Sequence, residues 1–287
     1  MRVITTVQEM RTACKQARRA AGEDSTLALI PTMGAIHQGH LSLVEAGRTE
    51  CSLVAASIFV NPLQFGPTED FARYPRTFDE DCKKLDSAGV DLLFAPEVQE
   101  MYPEGATTFV EVAGLSERLD GASRPGHFRG VATVVAKLLN IVAPDVAYFG
   151  QKDAAQVAVL QALVGELNLP VRIAVCPIFR ESDGLALSSR NRYLTPDQRT
   201  QALALSRALR SIQDAIDRGE TNSAALRAFA VAELEKAPGA RTDYVEVVNP
   251  RTLLPVDSVR SGALIALAAW IGDTRLIDNL IVPPDRS

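Results

Sequence analysis

Mostly apolar runs occupy positions 27–30, 52–60, 90–95, 146–149 and 171–179, and the segments between them carry helical spacing or capping signals. Runs that are apolar throughout, rather than alternating, predict strands buried on both faces, as in a parallel sheet covered by helices. The first run ends at Pro31 and leads through a glycine-bearing turn to a helix over about 40–48. Thr6-Val7-Gln8-Glu9 and Thr77-Phe78-Asp79-Glu80 read as capping boxes, and Asp81 adds a further acid where the second helix dipole favours one. Residues 128–142 predict a helix that passes through Pro144 into the next strand, and another runs from about 153 to 167. Strands alternating with helices in this way make the first 180 or so residues a Rossmann-like α/β domain.

The pattern changes after Arg180. Thr195-Pro196-Asp197-Gln198 combines a capping box with proline at the first helical position, and Leu205, Leu209, Ile212 and Ile216 follow at helical spacing as far as Gly219. A second helix is expected over 223–236, then three short strands over 244–248, 263–270 and 275–282. Helices followed by consecutive strands indicate a separate, smaller α+β domain, so the expected division is 1–180 and 181–287.

Composition narrows the possible roles. A chain of 287 residues with 47% hydrophobic positions can build a large domain plus a smaller one. Its net charge of -5 argues against a nucleic-acid surface, so any cationic site must be local. No apolar run approaches the roughly 20 residues of a membrane helix. The N-terminus has no secretory pattern, and Cys14, Cys51, Cys82 and Cys176 show no paired metal-ligand spacing. The expected compartment is the cytoplasm, with reduced thiols.

Chemistry concentrates at strand-to-helix turns, where open parallel sheets bind ligands. In Pro31-Thr32-Met33-Gly34-Ala35-Ile36-His37-Gln38-Gly39-His40, the glycines allow close backbone approach and the helix start offers N–H groups to an anion. Two imidazoles three residues apart can face one phosphate and stabilise charge developing at phosphorus. The competing readings are a surface turn, or a zinc site whose only remaining histidine ligand is His127.

Asn61 and Gln64, in the turn after the second strand, suit hydroxyls or a carboxylate, or else cap the turn around Pro62. Arg124-Pro125-Gly126-His127-Phe128-Arg129-Gly130-Val131 is a basic helix start, hence an anion site or an exposed loop. Lys152 and Asp153 can meet a phosphate and ribose hydroxyls, or form a solvated pair. Ser188-Ser189-Arg190-Asn191 offers hydroxyls and a guanidinium to phosphates, or is a polar linker.

Together these segments, in order from residue 31 to 194, resemble the pantothenate synthetases, within the superfamily of class I aminoacyl-tRNA synthetases and nucleotidylyltransferases. All three histidines fall inside the matching motifs. Departures are Gln151 where the family usually has glutamate, and Ala155 where it has glutamine.

The resemblance implies an ATP-dependent, AMP-forming ligase that joins pantoate to β-alanine through pantoyl-adenylate. It implies charge stabilisation by His37, His40, Lys152 and Arg190, with Ser188 and Ser189 assisting. Further implied ATP contacts are Met33, Gly34, Gly150, Asp153, Phe179 and Leu187. Gln64, Gln156 and Asn61 would bind pantoate or β-alanine, and His127 would be structural or pocket-lining. Mg2+ would accompany ATP, held mostly by phosphates and water, and two copies would pair through the larger domain. The rival readings are a nucleotidylyltransferase adenylating a phosphorylated cofactor precursor, and a non-catalytic ATP sensor.

Overall fold

The computed structural model describes residues 1–67 and 69–285. Its elements in chain order are β1 (Arg2–Ile4), α1 (Val7–Ala21), β2 (Leu27–Thr32), α2 (Gln38–Glu50), β3 (Leu53–Ile58), α3 (Phe78–Ser87) and β4 (Leu92–Phe94). There follow the short α4 (Val98–Met101) and α5 (Asp120–Ser123), then α6 (His127–Val142), β5 (Val146–Gly150), α7 (Ala154–Glu166) and β6 (Arg172–Cys176). The remainder is α8 (Pro196–Asp217), α9 (Ser223–Glu235), β7 (Ala240–Val248), β8 (Ala263–Ile271) and β9 (Thr274–Val282).

Six strands form one parallel sheet in the order β1-β4-β3-β2-β5-β6. The expected α/β class is therefore what the chain adopts. Central strands are apolar on both faces because both are covered: Ala28 and Ile30 pack with Leu43 and Val44 of α2, while Leu27 and Leu29 are buried on the opposite face. From β2 the chain winds outward through β3 and β4, then restarts on the other side with β5. The topological switch point thus lies between the carboxyl ends of β2 and β5, where a parallel sheet leaves a crevice.

Several local expectations change. β1 was not foreseen, because three residues with two exposed carry no usable pattern. The helix expected from residue 40 begins at Gln38. The last strand stops at Cys176 rather than 179, since Pro177 has no N–H to continue the ladder. Thr77 does not cap α3.

The chain divides into two compact units: Met1–Gly150 with Val159–Pro177, and Gln151–Ala158 with the chain from Ile178 onward. In the second unit, α8 and α9 pack on an antiparallel sheet ordered β7-β8-β9. The capping box at Thr195 is complete, Thr195 Oγ1 accepting from Gln198 N and Gln198 Oε1 from Thr195 N. The buried faces of Leu205, Leu209 and Ile212 meet Val245, Ile265 and Leu267. Among the described residues no helix is long and apolar enough to cross a membrane.

Candidate active site

The turn after β2 stands at the switch point. Thr32 Oγ1 donates to Ser57 O at 2.7 Å and accepts from Gly34 N at 3.1 Å, which anchors the turn to β3. Gly34 (φ 85°) and Ala35 (φ 52°) both adopt left-handed backbone. Glycine suits the first position, where another residue would be strained at this φ and its Cβ would lie a tight 3.2 Å from both Asp81 Oδ2 and Ile58 Cγ2. Ala35 has no such exemption, and holding it there costs on the order of 1 kcal/mol.

What compensates is a buried carboxylate from α3. Asp81, 1% exposed, accepts from Ala35 N (2.8 Å), Ile36 N (2.7 Å) and Thr77 Oγ1 (3.1 Å). Lys84 Nζ adds a bond to Ile36 O at 2.9 Å. Thr77 and Asp81 look like helix-capping residues in sequence, and the structure corrects that reading. The hydroxyl serves the carboxylate, and the carboxylate fills the concavity made by two successive N–H groups.

With the turn clamped, His37 and His40 start α2. Their rings stack with centroids 4.0 Å apart and planes 16° from parallel. His37 N donates to His40 Nδ1 at 3.4 Å, so a neutral His40 ring carries its hydrogen on Nε2. Both side chains are partly exposed.

Asn61 and Gln64 follow β3 in the same unit. Asn61, 1% exposed, uses its whole amide inside the protein: Nδ2 donates to Gln64 Oε1 (3.0 Å) and Gly130 O (3.1 Å). Its Oδ1 accepts from Leu63 N (3.3 Å) and Tyr102 OH (2.9 Å). The turn-capping reading is thus realised at Asn61. Gln64 is oriented as a result, with its oxygen toward Asn61 and its Nε2 3.1 Å from Met33 Sδ on the histidine-bearing turn. Helix α6 approaches this turn so closely that a Cβ on Gly130 would lie 2.3 Å from Leu63 O.

In the basic stretch that opens α6, Arg124 and His127 act as a brace. Arg124 grips the Glu69 carboxylate through Nε (2.8 Å) and Nη2 (2.5 Å), and Nη2 also reaches Gln64 O (3.3 Å). His127 Nδ1 donates to Gln64 O at 2.8 Å, while its Nε2 accepts from Arg124 Nη1 at 3.0 Å. Both ring nitrogens being engaged, His127 is no third zinc ligand. Among the described residues no group of three or more His, Cys, Asp or Glu is placed to hold a metal ion.

Burial, then the adjacent Arg124 guanidinium, push the His127 imidazole from its ordinary 6.5 down to about 4. Between these values the unfolded chain binds the proton and the native one does not, so stability is complete above pH 6.5 and declines as pH falls toward 4. The expected loss is on the order of 3 kcal/mol. Urea midpoints measured for the wild type and His127→Gln should diverge at pH 7 and converge toward pH 4. Parallel profiles would show that the imidazole is not held neutral.

The second unit carries the remaining candidates. Lys152 and Asp153 lie in a 3-10 turn, Gln151–Asp153, that follows Gly150 at the end of β5, and Gln156 is on the first turn of α7. Lys152 and Gln156 are partly exposed and Asp153 exposed. Phe179 and Leu187 pair at the base of a hairpin, Leu187 N donating to Phe179 O at 2.9 Å. Ser188 Oγ accepts from Arg190 N at 3.3 Å, capping the 3-10 turn Ser189–Tyr193. Asn191 Nδ2 fastens that turn to Glu181 Oε1 (3.0 Å) and Ala186 O (3.1 Å).

Residues 2–281 match the sequence model of the pantoate-beta-alanine ligase family. The chain belongs to that family. A pantothenate synthetase from Koribacter versatilis is 56% identical over 282 residues, covering 98% of this chain and 96% of the relative. The crystal structure of pantothenate synthetase from Thermus thermophilus superposes with a TM-score of 0.92 at 47% identity, covering 99% of this chain and 100% of that one. A second crystal structure, the Francisella tularensis pantoate-beta-alanine ligase complexed with β-γ ATP and β-alanine, gives 0.79 at 33% identity, with 98% and 97% covered. Membership in the pantoate-beta-alanine ligase family makes the protein a ligase.

Two residues that hold the turns carrying these candidates have no signal in the sequence. Asp81 reads in sequence as a first-turn acid of its own helix. Asn279, on β9, had no motif around it, yet it bonds the Lys152 turn directly.

Proposed function

We propose that the chain joins pantoate to β-alanine in two half-reactions. The pantoate carboxylate first attacks the α-phosphorus of ATP and displaces pyrophosphate, leaving pantoyl-adenylate. The amine of β-alanine then attacks the acyl carbon and expels AMP. Adenylation is needed because oxide is a poor leaving group and AMP a good one.

The supporting observation is the Met33–Gln64 contact. One turn carries both histidines and also touches, 3.1 Å away, the amide suited to pantoate. With its oxygen committed to Asn61, Gln64 presents nitrogen as a donor to a carboxylate or hydroxyl. Asn61 therefore positions Gln64, and Gln156 is the second amide assigned to pantoate. His37, His40, Lys152 and Arg190 stabilise the charge that develops as pyrophosphate departs, helped by Ser188 and Ser189. Met33, Gly34, Gly150, Asp153, Phe179 and Leu187 complete the ATP contacts. ATP enters as its Mg2+ complex, the ion being carried by phosphates and water.

In this reading, residues up to about 180 bind nucleotide and pantoate, and 181–287 form the cap that supplies the Ser188–Arg190 loop. The enzyme works in the cytoplasm as a homodimer. Edge strand β6, with Val175 38% exposed, supports pairing through the larger unit.

Exchange of labelled pyrophosphate into ATP, without β-alanine, tests the scheme. Exchange is expected with pantoate and absent with nicotinate mononucleotide or no acceptor. Exchange with the mononucleotide instead, or ATP binding with no exchange at all, would overturn it.

A further inference from the structure

Asn279 lies on β9, 4% exposed, in the part of the chain where no motif pointed to chemistry. Its Nδ2 gives both hydrogens to one turn, reaching Gln151 O at 2.9 Å and Lys152 O at 3.0 Å. Its Oδ1 accepts from Gln151 Nε2 at 3.1 Å. Three bonds from one buried amide thus converge on two consecutive residues, 127 and 128 positions away in sequence. We propose that Asn279 is a positioning residue for Lys152.

The physical case rests on what a single 3-10 turn lacks. Such a turn has few internal bonds and leaves carbonyls unpaired. Lysine carries its charge on a four-carbon stem, so an unsteady root spreads the ammonium over a wide volume. Asn279 fixes that root by its carbonyl on one side and by the preceding side chain on the other. Aspartate could not substitute, since a carboxylate would face two carbonyl oxygens with no hydrogen to donate.

The neighbouring residue does parallel work. Asp278, 2% exposed, takes Arg180 in a two-pronged pair at 2.7 and 2.9 Å. Arg180 Nη1 also bonds Gly184 O at 3.1 Å, which shapes the hairpin that leads to Ser188 and Arg190. Asn279 N donates to Asp278 Oδ1 at 2.8 Å and joins the two braces. Consecutive residues of β9 therefore hold the roots of Lys152 and of the Ser188–Arg190 loop as one body.

This inference rests on the charge-stabilising role given to Lys152, and a double-mutant cycle separates the two ideas. Adenylate formation is followed in single turnover for the wild type, Asn279→Ala, Lys152→Ala and the double variant, with urea unfolding as the check on folding. A loosened root should slow the reaction about tenfold in Asn279→Ala, and less than about twofold once Lys152 is already alanine. The reaction of β-alanine with supplied pantoyl-adenylate should not change. Should Asn279→Ala fail to fold, Gln151→Leu breaks the same amide pair from a partly exposed position and is expected to give a smaller loss with the same dependence on Lys152. An equal cost in both backgrounds, or no cost in either, overturns the inference. Wild-type rates from Lys152→Ala alone would instead remove the assignment to Lys152.

Discussion

His40→Ala is expected to slow pyrophosphate release in the first half-reaction by about 10²–10³-fold while the protein still folds. The ring stands at the third position of α2, partly exposed and outside the apolar clusters, so truncation removes a donor without opening a cavity. On the role proposed for His40, what is lost is a donor to charge that appears only as the leaving group departs, so kcat should fall much more than ATP affinity. The same loss is expected of Lys152→Ala. Because the two imidazoles stack 4.0 Å apart, His37→Ala and His40→Ala should combine to less than the product of their separate effects. Rapid-quench measurement of pyrophosphate release checks these points. Near-wild-type release from both His40→Ala and Lys152→Ala would remove the charge-stabilising assignment.

Much of the larger unit was legible because its information is local. Continuous apolar runs at 27–30 and 146–149 announce covered strands, and the glycine-bearing turn that leads from the first of them into a helix start at His37 and His40 is where the structure has it. Misread residues share another property: their partners are distant in the chain. Arg124 looks like an anion-binding arginine until Glu69, 55 residues earlier, takes its guanidinium. Thr77 resembles a helix cap because the pattern from Thr77 to Glu80 is correct, but tertiary contact redirects its hydroxyl to Asp81. Asn279 is the extreme case. Nothing in Leu276-Ile277-Asp278-Asn279 signals a role, since an inward polar residue on a strand declares itself only through what it meets. β1 failed for a simpler reason, being too short for alternation to register.

Asp81 offers the sharpest test of how the fold prepares the site. Asp81→Asn is nearly isosteric, yet it replaces one acceptor oxygen by a donor nitrogen. Ala35 N bonds one carboxylate oxygen and Ile36 N the other, so either amide orientation sets an NH2 group against a backbone N–H. A buried N–H then loses its partner, and its remaining bond no longer ends on a full charge. The expected destabilisation is about 3 kcal/mol, typical of breaking a buried, charge-assisted network. Local consequences should be larger still. Ala35 has no steric reason to keep φ at 52° once the carboxylate is gone, and relaxation there swings the chain that leads into His37. A displacement of about 1 Å at a reacting centre can cost 10²-fold in rate. Asp81→Asn should therefore fold, unfold at lower urea, and form adenylate at least tenfold more slowly even where the native state is fully populated. Asp81→Glu keeps the charge but lengthens the arm, and is expected to recover stability better than rate. If Asp81→Asn loses stability while keeping its full rate of adenylate formation, the buried carboxylate only supports the fold, and the orientation of His37 and His40 must be set by α2 itself.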